Sequence, residues 1–258
     1  MSVAAPRGRR MGLLVGWTLA LAAIVLFASL GRWQLGRMDE KQAKLDAAAQ
    51  ALGDHAPQPL LLASDPKRAS AYDWTAGSGS IAGSTVWLDN QMRAGRPGVR
   101  MYCVLLPDDG VQAVLVDAGW WPLDGKRTLP VFGCPLGQGV SVRGLLAPPP
   151  STGLARGAAL ADAGPQRWLA TRLDLPAIAR ELRLSTGIAP RVLRLDPARA
   201  KGDAGVMLAP GERDLDILPN TITPDRHLGY AVQWFGLALA VLVIAIVLTF
   251  RNRKRPAP

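Results

Sequence analysis

His227-Leu228-Gly229-Tyr230-Ala231-Val232-Gln233-Trp234-Phe235-Gly236 opens a run of 23 uncharged residues, 228–250, that ends in Arg251-Asn252-Arg253-Lys254-Arg255. About 20 helical residues cross the hydrocarbon core of a bilayer, so the run predicts a transmembrane helix. A histidine stands at its mouth, above a face carrying Tyr230 and Trp234. It is one of two histidines in the chain. A titratable, metal-competent side chain at a membrane boundary is a candidate site.

The other end mirrors this one. Arg7, Arg9 and Arg10 precede an uncharged run, 11–31, followed by Arg32. The run is long for the apolar region of a signal peptide, and no convincing small-x-small cleavage site precedes Arg32. It reads as a second transmembrane helix. The expected organisation is a basic tail (1–10), a span (11–31), a folded loop (32–227), a span (228–250) and a second basic tail (251–258).

Charge orients this hairpin. The chain holds 30 basic and 20 acidic residues, and seven of the basic ones lie in the two tails, which have no acidic residue. The loop is therefore close to neutral. The excess of positive charge on short flanks predicts both termini in the cytoplasm and the loop outside. The basic balance is thus a topology signal, and no basic patch in the loop points to nucleic acid. No amphipathic presequence precedes the first span, so the predicted location is a bacterial inner membrane with a periplasmic loop.

The loop is long enough for one domain with its own core. Its strand-like segments are 84–88, 99–106, 111–116, 140–146, 168–173 and 188–195. Gly95-Arg96-Pro97-Gly98 reads as a turn, and Asp108-Asp109-Gly110 as the turn of a hairpin. Asp174-Leu175-Pro176 reads as a capped helix start running to about Leu182. Residues 32–52 lack proline and continue the first helix until Gly53-Asp54, and 57–65 reads as a linker or short turn. The predicted class is α+β: two transmembrane helices flanking one domain with a mainly antiparallel sheet and few helices.

Chemistry-bearing motifs are sparse in the loop. Cys103 and Cys134 are its only cysteines, open to reading as buried thiols, a disulfide, or copper or redox ligands. Asp108-Asp109 and Asp214-x-Asp216 read as solvated turns. Ser151-Thr152 has no visible base partner, so a hydrolase is not supported. No catalytic residue is predicted.

Three landmarks in order resemble one family. Gly31-Arg32-Trp33-Gln34-Leu35-Gly36-Arg37 follows the first span, with Lys41 or Lys44 beyond it. Leu88-Asp89-Asn90 and Gly95-x-Pro97-Gly98 precede Val114-Leu115-Val116-Asp117-Ala118-Gly119-Trp120-Trp121-Pro122. His227 to Gly236 opens the second span. The chain resembles the Surfeit locus protein 1 family of cytochrome c oxidase assembly factors, which are not enzymes. Two departures stand out. Asp117-Ala118 replaces the family's Asn-Arg pair, and 71–83 resembles its Tyr-containing first strand only loosely.

The resemblance implies a role in delivering haem a to subunit I of a haem–copper oxidase, with haem a synthase as a further partner. It implies that His227 ligates the haem iron, beside Tyr230 and Trp234. The chemistry is reasonable, since a neutral imidazole nitrogen is an axial ligand and a macrocycle can lie on aromatic rings. Helical spacing groups His227, Tyr230, Ala231 and Trp234, with Ala231 small enough to leave room for a ring. Gly229 and Gly236, and Gly12-x-x-x-Gly16 in the first span, permit close approach of a helix. His55, in a polar turn, is a poor second ligand. The alternative readings are an ordinary aromatic belt around a headgroup histidine, and a scaffold that binds the bilayer and partners without a cofactor.

Overall fold

Residues 7–53 contain no proline and form one unbroken helix in the computed structural model, which describes residues 7–54, 56–110, 112–152, 157–200, 211–218 and 221–254. The elements run α1 (Arg7–Gly53), β1 (Gln58–Pro59), β2 (Asp73–Arg93), β3 (Arg96–Pro107), β4 (Ala113–Pro122), β5 (Leu136–Ala147), β6 (Leu160–Asp162), β7 (Arg167–Ala170), α2 (Leu175–Glu181), β8 (Ile188–Leu195) and α3 (Pro224–Lys254). The chain divides into two compact units, Met1–Lys44 with Thr221–Pro258, and Leu45–Asn220.

The first unit is an antiparallel helix pair. Both helices are long and apolar enough to cross a membrane. Trp17 Nε1 donates to Thr249 Oγ1 at 3.0 Å near one end, and Lys41 Nζ donates to the Ile222 carbonyl at 2.6 Å near the other. The buried or half-buried positions of α3 are 224, 227, 231, 234, 238, 241, 242, 245 and 249. Their spacing, alternating between three and four from 224 to 241, is the seam of two packed helices. α3 begins at Pro224, before the apolar run, because Thr223 accepts from the His227 amide at 3.2 Å and Pro224 suits a first helical turn.

The second unit is built on a mixed sheet of eight strands. The pairings β2–β3, β3–β4, β4–β8, β8–β5 and β5–β2 form a closed ring. Closure leaves those five strands without a free edge. The sheet is mainly antiparallel, as expected, but three pairings, β1–β2, β2–β7 and β4–β8, are parallel. Closing the ring and extending it sets strands from distant parts of the chain side by side, which hairpin reading cannot anticipate.

β2 makes closure possible by pairing with β5 along its first half and β3 along its second. Gly79 lies where the two pairings overlap, and a Cβ there would meet the Leu106 carbonyl oxygen at 2.3 Å. Only glycine fits that approach. The expected strand 84–88 is thus part of a 21-residue strand. The β2–β3 turn is Ala94-Gly95, both at positive φ, with Arg93 paired to Arg96. Residues 96–98, read as part of the turn, belong to β3 instead. The tighter two-residue turn matches strand twist.

Side chains alternate between two cores. Val99, Met101, Cys103, Val114, Val116, Val140, Val142 and Leu193 share a cluster to which all five ring strands contribute. Tyr102, Val104, Leu115 and Val192 face the opposite way, against Ile178 of α2. The segment read as a linker instead supplies β1 and a short 3-10 helix, Leu60–Ser64, whose Leu60 is fully buried in the first cluster. Cys103 and Cys134 form a disulfide, which overturns the readings as thiols or copper ligands. The strand expected at 168–173 ends at Ala170, and α2 starts as predicted, with Asp174 accepting from the Ala177 amide at 3.1 Å.

Candidate functional site

In the helix pair, one face of α1 carries Phe27, Gly31, Gln34, Met38 and Lys41, all buried or half-buried. They recur at the same alternating three–four spacing as the seam of α3. Trp234 stacks on Phe27, with centroids 5.7 Å apart and planes inclined by 28°. Phe235 lies over Gly31, where a Cβ would come within 2.8 Å of its ring. Closer to the start of α3, His227 meets Gln34, its Nδ1 lying 2.6 Å from Gln34 Oε1.

His227 is only 5% exposed, and its Nε2 is buried with no hydrogen-bond partner. An amide oxygen can only accept, so this orientation of Gln34 pairs with an Nδ1–H, the tautomer that leaves a lone pair on Nε2. Lys41, itself buried, holds the Ile222 carbonyl one residue before the Thr223 that starts α3. Two side chains of α1, seven positions apart, thus fix the approach to α3 and the imidazole in its first turn.

The expected site residues separate. His227 and Trp234 both face α1, while Tyr230 is 42% exposed at the margin of the seam. Ala231 is buried, so the space beside it is already filled. Gly229, Gly236, Gly12 and Gly16 have nothing near a would-be Cβ, so the close helix approach occurs at Gly31 instead. His55 lies outside the described residues. Among the described residues, no cluster of three or more His, Cys, Asp or Glu could hold a metal ion. Gln34, Phe27 and Lys41 were not assigned roles from sequence. Their common helical face was the available signal.

The second unit holds a different polar cluster. Arg100 donates to Asp117 at 2.8 Å and to Asp214 at 2.5 Å, and Arg194 donates to Asp214 at 2.7 Å. Arg93 also pairs with Asp214, and with Glu212 at 3.0 Å. Asp214 is therefore not a solvated turn residue, whereas Asp216 is exposed and accepts from the Leu218 amide at 3.0 Å, as a turn residue does. Burial would raise the Asp214 carboxyl, but Arg100 and Arg194 override it and hold it below its ordinary value. Burial also drives the Tyr102 hydroxyl far up, so it stays protonated.

This cluster ties segment 211–218 to the ring. Trp120 and Glu212 exchange backbone hydrogen bonds at 3.0 and 2.9 Å, and the Trp120 indole donates to the Gln91 carbonyl at 2.7 Å. Asp117, at a departure from the family pattern, is the carboxylate that neutralises Arg100, and Ala118 lies in the ring core. Trp120 is buried and Trp121 packs on the core, so this motif is a strand end and not an exposed docking surface.

The sequence model of the SURF1 family matches residues 21–239. No curated protein matches the chain.

Proposed function

Because the chain belongs to the SURF1 family, known for cytochrome c oxidase assembly, we propose that it is a membrane-anchored assembly factor that holds haem a for insertion into oxidase subunit I. The observation that carries the reading is the buried His227 Nε2 with no partner, in a ring whose other nitrogen is held by Gln34. A protein rarely leaves a buried polar atom unpaired without a use for it. An imidazole held at one nitrogen is how proteins present the other to a metal.

Haem a is cargo here, and its iron accepts an axial imidazole nitrogen. His227 supplies Nε2, the Trp234–Phe27 stack offers an apolar wall, and Tyr230 offers a ring and hydroxyl at the margin. Since Nε2 is enclosed, loading requires the side chains around it to move aside while the Gln34 bond to Nδ1 is kept. We place the chain in a bacterial inner membrane with both basic tails in the cytoplasm and the ring domain in the periplasm. The charge distribution supports this placement. Haem a synthase is the donor in this scheme.

The test is the spectrum of the detergent-purified full chain from cells that make haem a. The wild type is expected to carry a haem absorption band that His227→Ala removes. An undiminished band in the variant sinks the ligand assignment. A second reading, a cofactor-free scaffold, is favoured by one observation: enclosed between helices, His227 already ties α1 to α3. Co-purification of oxidase subunits without haem supports that reading.

A further inference from the structure

We infer that Gln34 is the positioning residue of this site: it fixes the tautomer of His227 that leaves Nε2 free for iron. The inference rests on the haem reading for its purpose, but the tautomer is a property of the empty protein.

A neutral imidazole has one N–H and one lone pair, and which nitrogen carries which depends on its partners. Here only Nδ1 has a partner, and that partner is the Gln34 carbonyl oxygen at 2.6 Å. Nε2 has none. The opposite tautomer would require the Gln34 amide to turn its NH2 toward Nδ1, and it would bury an Nε2–H with no acceptor. The unpaired donor is penalised when water is excluded. Without the Gln34 oxygen, no hydrogen-bond partner of the ring favours Nδ1–H. The proton is then free to occupy Nε2, the position a metal requires.

The geometry around Gln34 suits a fixed acceptor. Gly31 sits one turn before it under the Phe235 ring, and Lys41 sits two turns after it on the Ile222 carbonyl. The helices are thus held together on both sides of the Gln34–His227 bond. Groups that hydrogen-bond the far nitrogen of a metal-ligating histidine change metal affinity by about 10–100-fold when removed.

The test uses the full chain in detergent with 15N-labelled histidine. The chain has two histidines, His55 and His227, so the spectrum of His227→Ala assigns the signals. The wild type is expected to show protonated Nδ1 and unprotonated Nε2 at His227. Gln34→Leu is expected to shift the proton toward Nε2, and Gln34→Glu, which keeps an acceptor, to preserve Nδ1–H. A wild type protonated at Nε2, an unchanged Gln34→Leu, or a Gln34→Glu that loses Nδ1–H overturns the inference. If Gln34→Leu does not fold, the wild type and Gln34→Glu still decide it.

Titration with ferric protoporphyrin haem supplies the second arm. Gln34→Leu is expected to weaken binding about 10-fold or more, with Gln34→Glu near wild type. Wild-type affinity in Gln34→Leu overturns the positioning role. Undiminished binding in His227→Ala instead overturns the haem reading and leaves the tautomer result standing.

Discussion

In the ring domain, Arg191 is fully buried and its guanidinium meets Asp73 at 2.5 Å, while Arg100 meets both Asp117 and Asp214. In the helix pair, His227 is nearly as buried, yet one of its two nitrogens meets nothing. The Nε–H groups of Arg191 and Arg194 also lack partners, but each guanidinium is neutralised by a carboxylate through its other nitrogens, and the unpaired Trp87 indole N–H and Thr75 hydroxyl are neutral groups without an imidazole lone pair. The difference is one of purpose. Buried charge in the ring domain is compensated because an uncompensated one would unfold it. The imidazole is neutral, so an unpaired nitrogen is tolerable, and what is left over is a lone pair able to take a ligand.

The largest expected effect comes from breaking that compensation. Asp73→Ala leaves the Arg191 guanidinium buried without its carboxylate, and such a loss costs about 3–5 kcal/mol. Chemical unfolding followed by tryptophan fluorescence measures it. Acid gives the same answer with a defined sign. Burial opposes ionisation of Asp73, but hydrogen bonds from Arg68 and Arg191 hold its carboxyl below the ordinary value, and Asp214 is held down likewise. Groups depressed in the folded state stabilise it above the unfolded pKa, about 3.9 for aspartate, and that stability is lost as pH falls through the lower folded values. Near-ultraviolet signal from the ring domain should therefore fade below about pH 4. An Asp73→Ala protein with wild-type stability would break the comparison.

Reducing the disulfide comes next. Cys103 and Cys134 are 31 residues apart, and closing a loop of that length is worth roughly 3–4 kcal/mol in the chain-entropy account. A Cys103→Ala/Cys134→Ala protein is expected to unfold at correspondingly lower denaturant. The haem band of the helix pair should survive under conditions where the ring domain stays folded. Loss of both together would show that the two units are not energetically separable.

These two effects also mark what the sequence could and could not show. Both spans, the unbroken helix past Arg32, the Asp174 cap and the hairpin around Asp108-Asp109 were legible, because period and local turn chemistry set them. The partners of buried charges were not. Arg100 finds Asp117 only through the register of β3 against β4, and finds Asp214 across 114 residues of chain. Leu60 was misread because an apolar run beside prolines looks like a linker until β1 pairs with β2. His227 itself was legible from its place at the mouth of a span. Gln34 was quoted in a motif without a role, since its bond spans 193 residues.

A smaller effect sharpens the helix side. Gly31→Leu pushes side-chain atoms into the Phe235 ring, an overpacking that typically costs about 1–3 kcal/mol. Hydrogen exchange in the first turns of α3 is expected to speed up, while Gly236→Leu, on an exposed face, leaves it unchanged. Equal responses from the two would mean that the helices meet on a different face.

The smallest effect comes from an exposed charge cluster in the helix pair, again built from arginine and a carboxylate. Glu40 bonds Arg37 at 2.5 Å and Lys44 at 2.8 Å, distances like those of Arg100 with its aspartates. All three side chains are 43–48% exposed, however, whereas Arg100 is 6% exposed. Water screens the first set and is absent from the second, so equal geometry carries unequal energy. Exposed pairs are worth about 0–1 kcal/mol, so Glu40→Gln should leave the unfolding midpoint nearly unmoved and raised salt should erase what change there is. Asp117→Asn, which removes a carboxylate of the same kind from a buried site, should cost several-fold more. If the two substitutions cost the same, burial is not what separates the clusters, and the lone pair on His227 loses the physical contrast that singles it out.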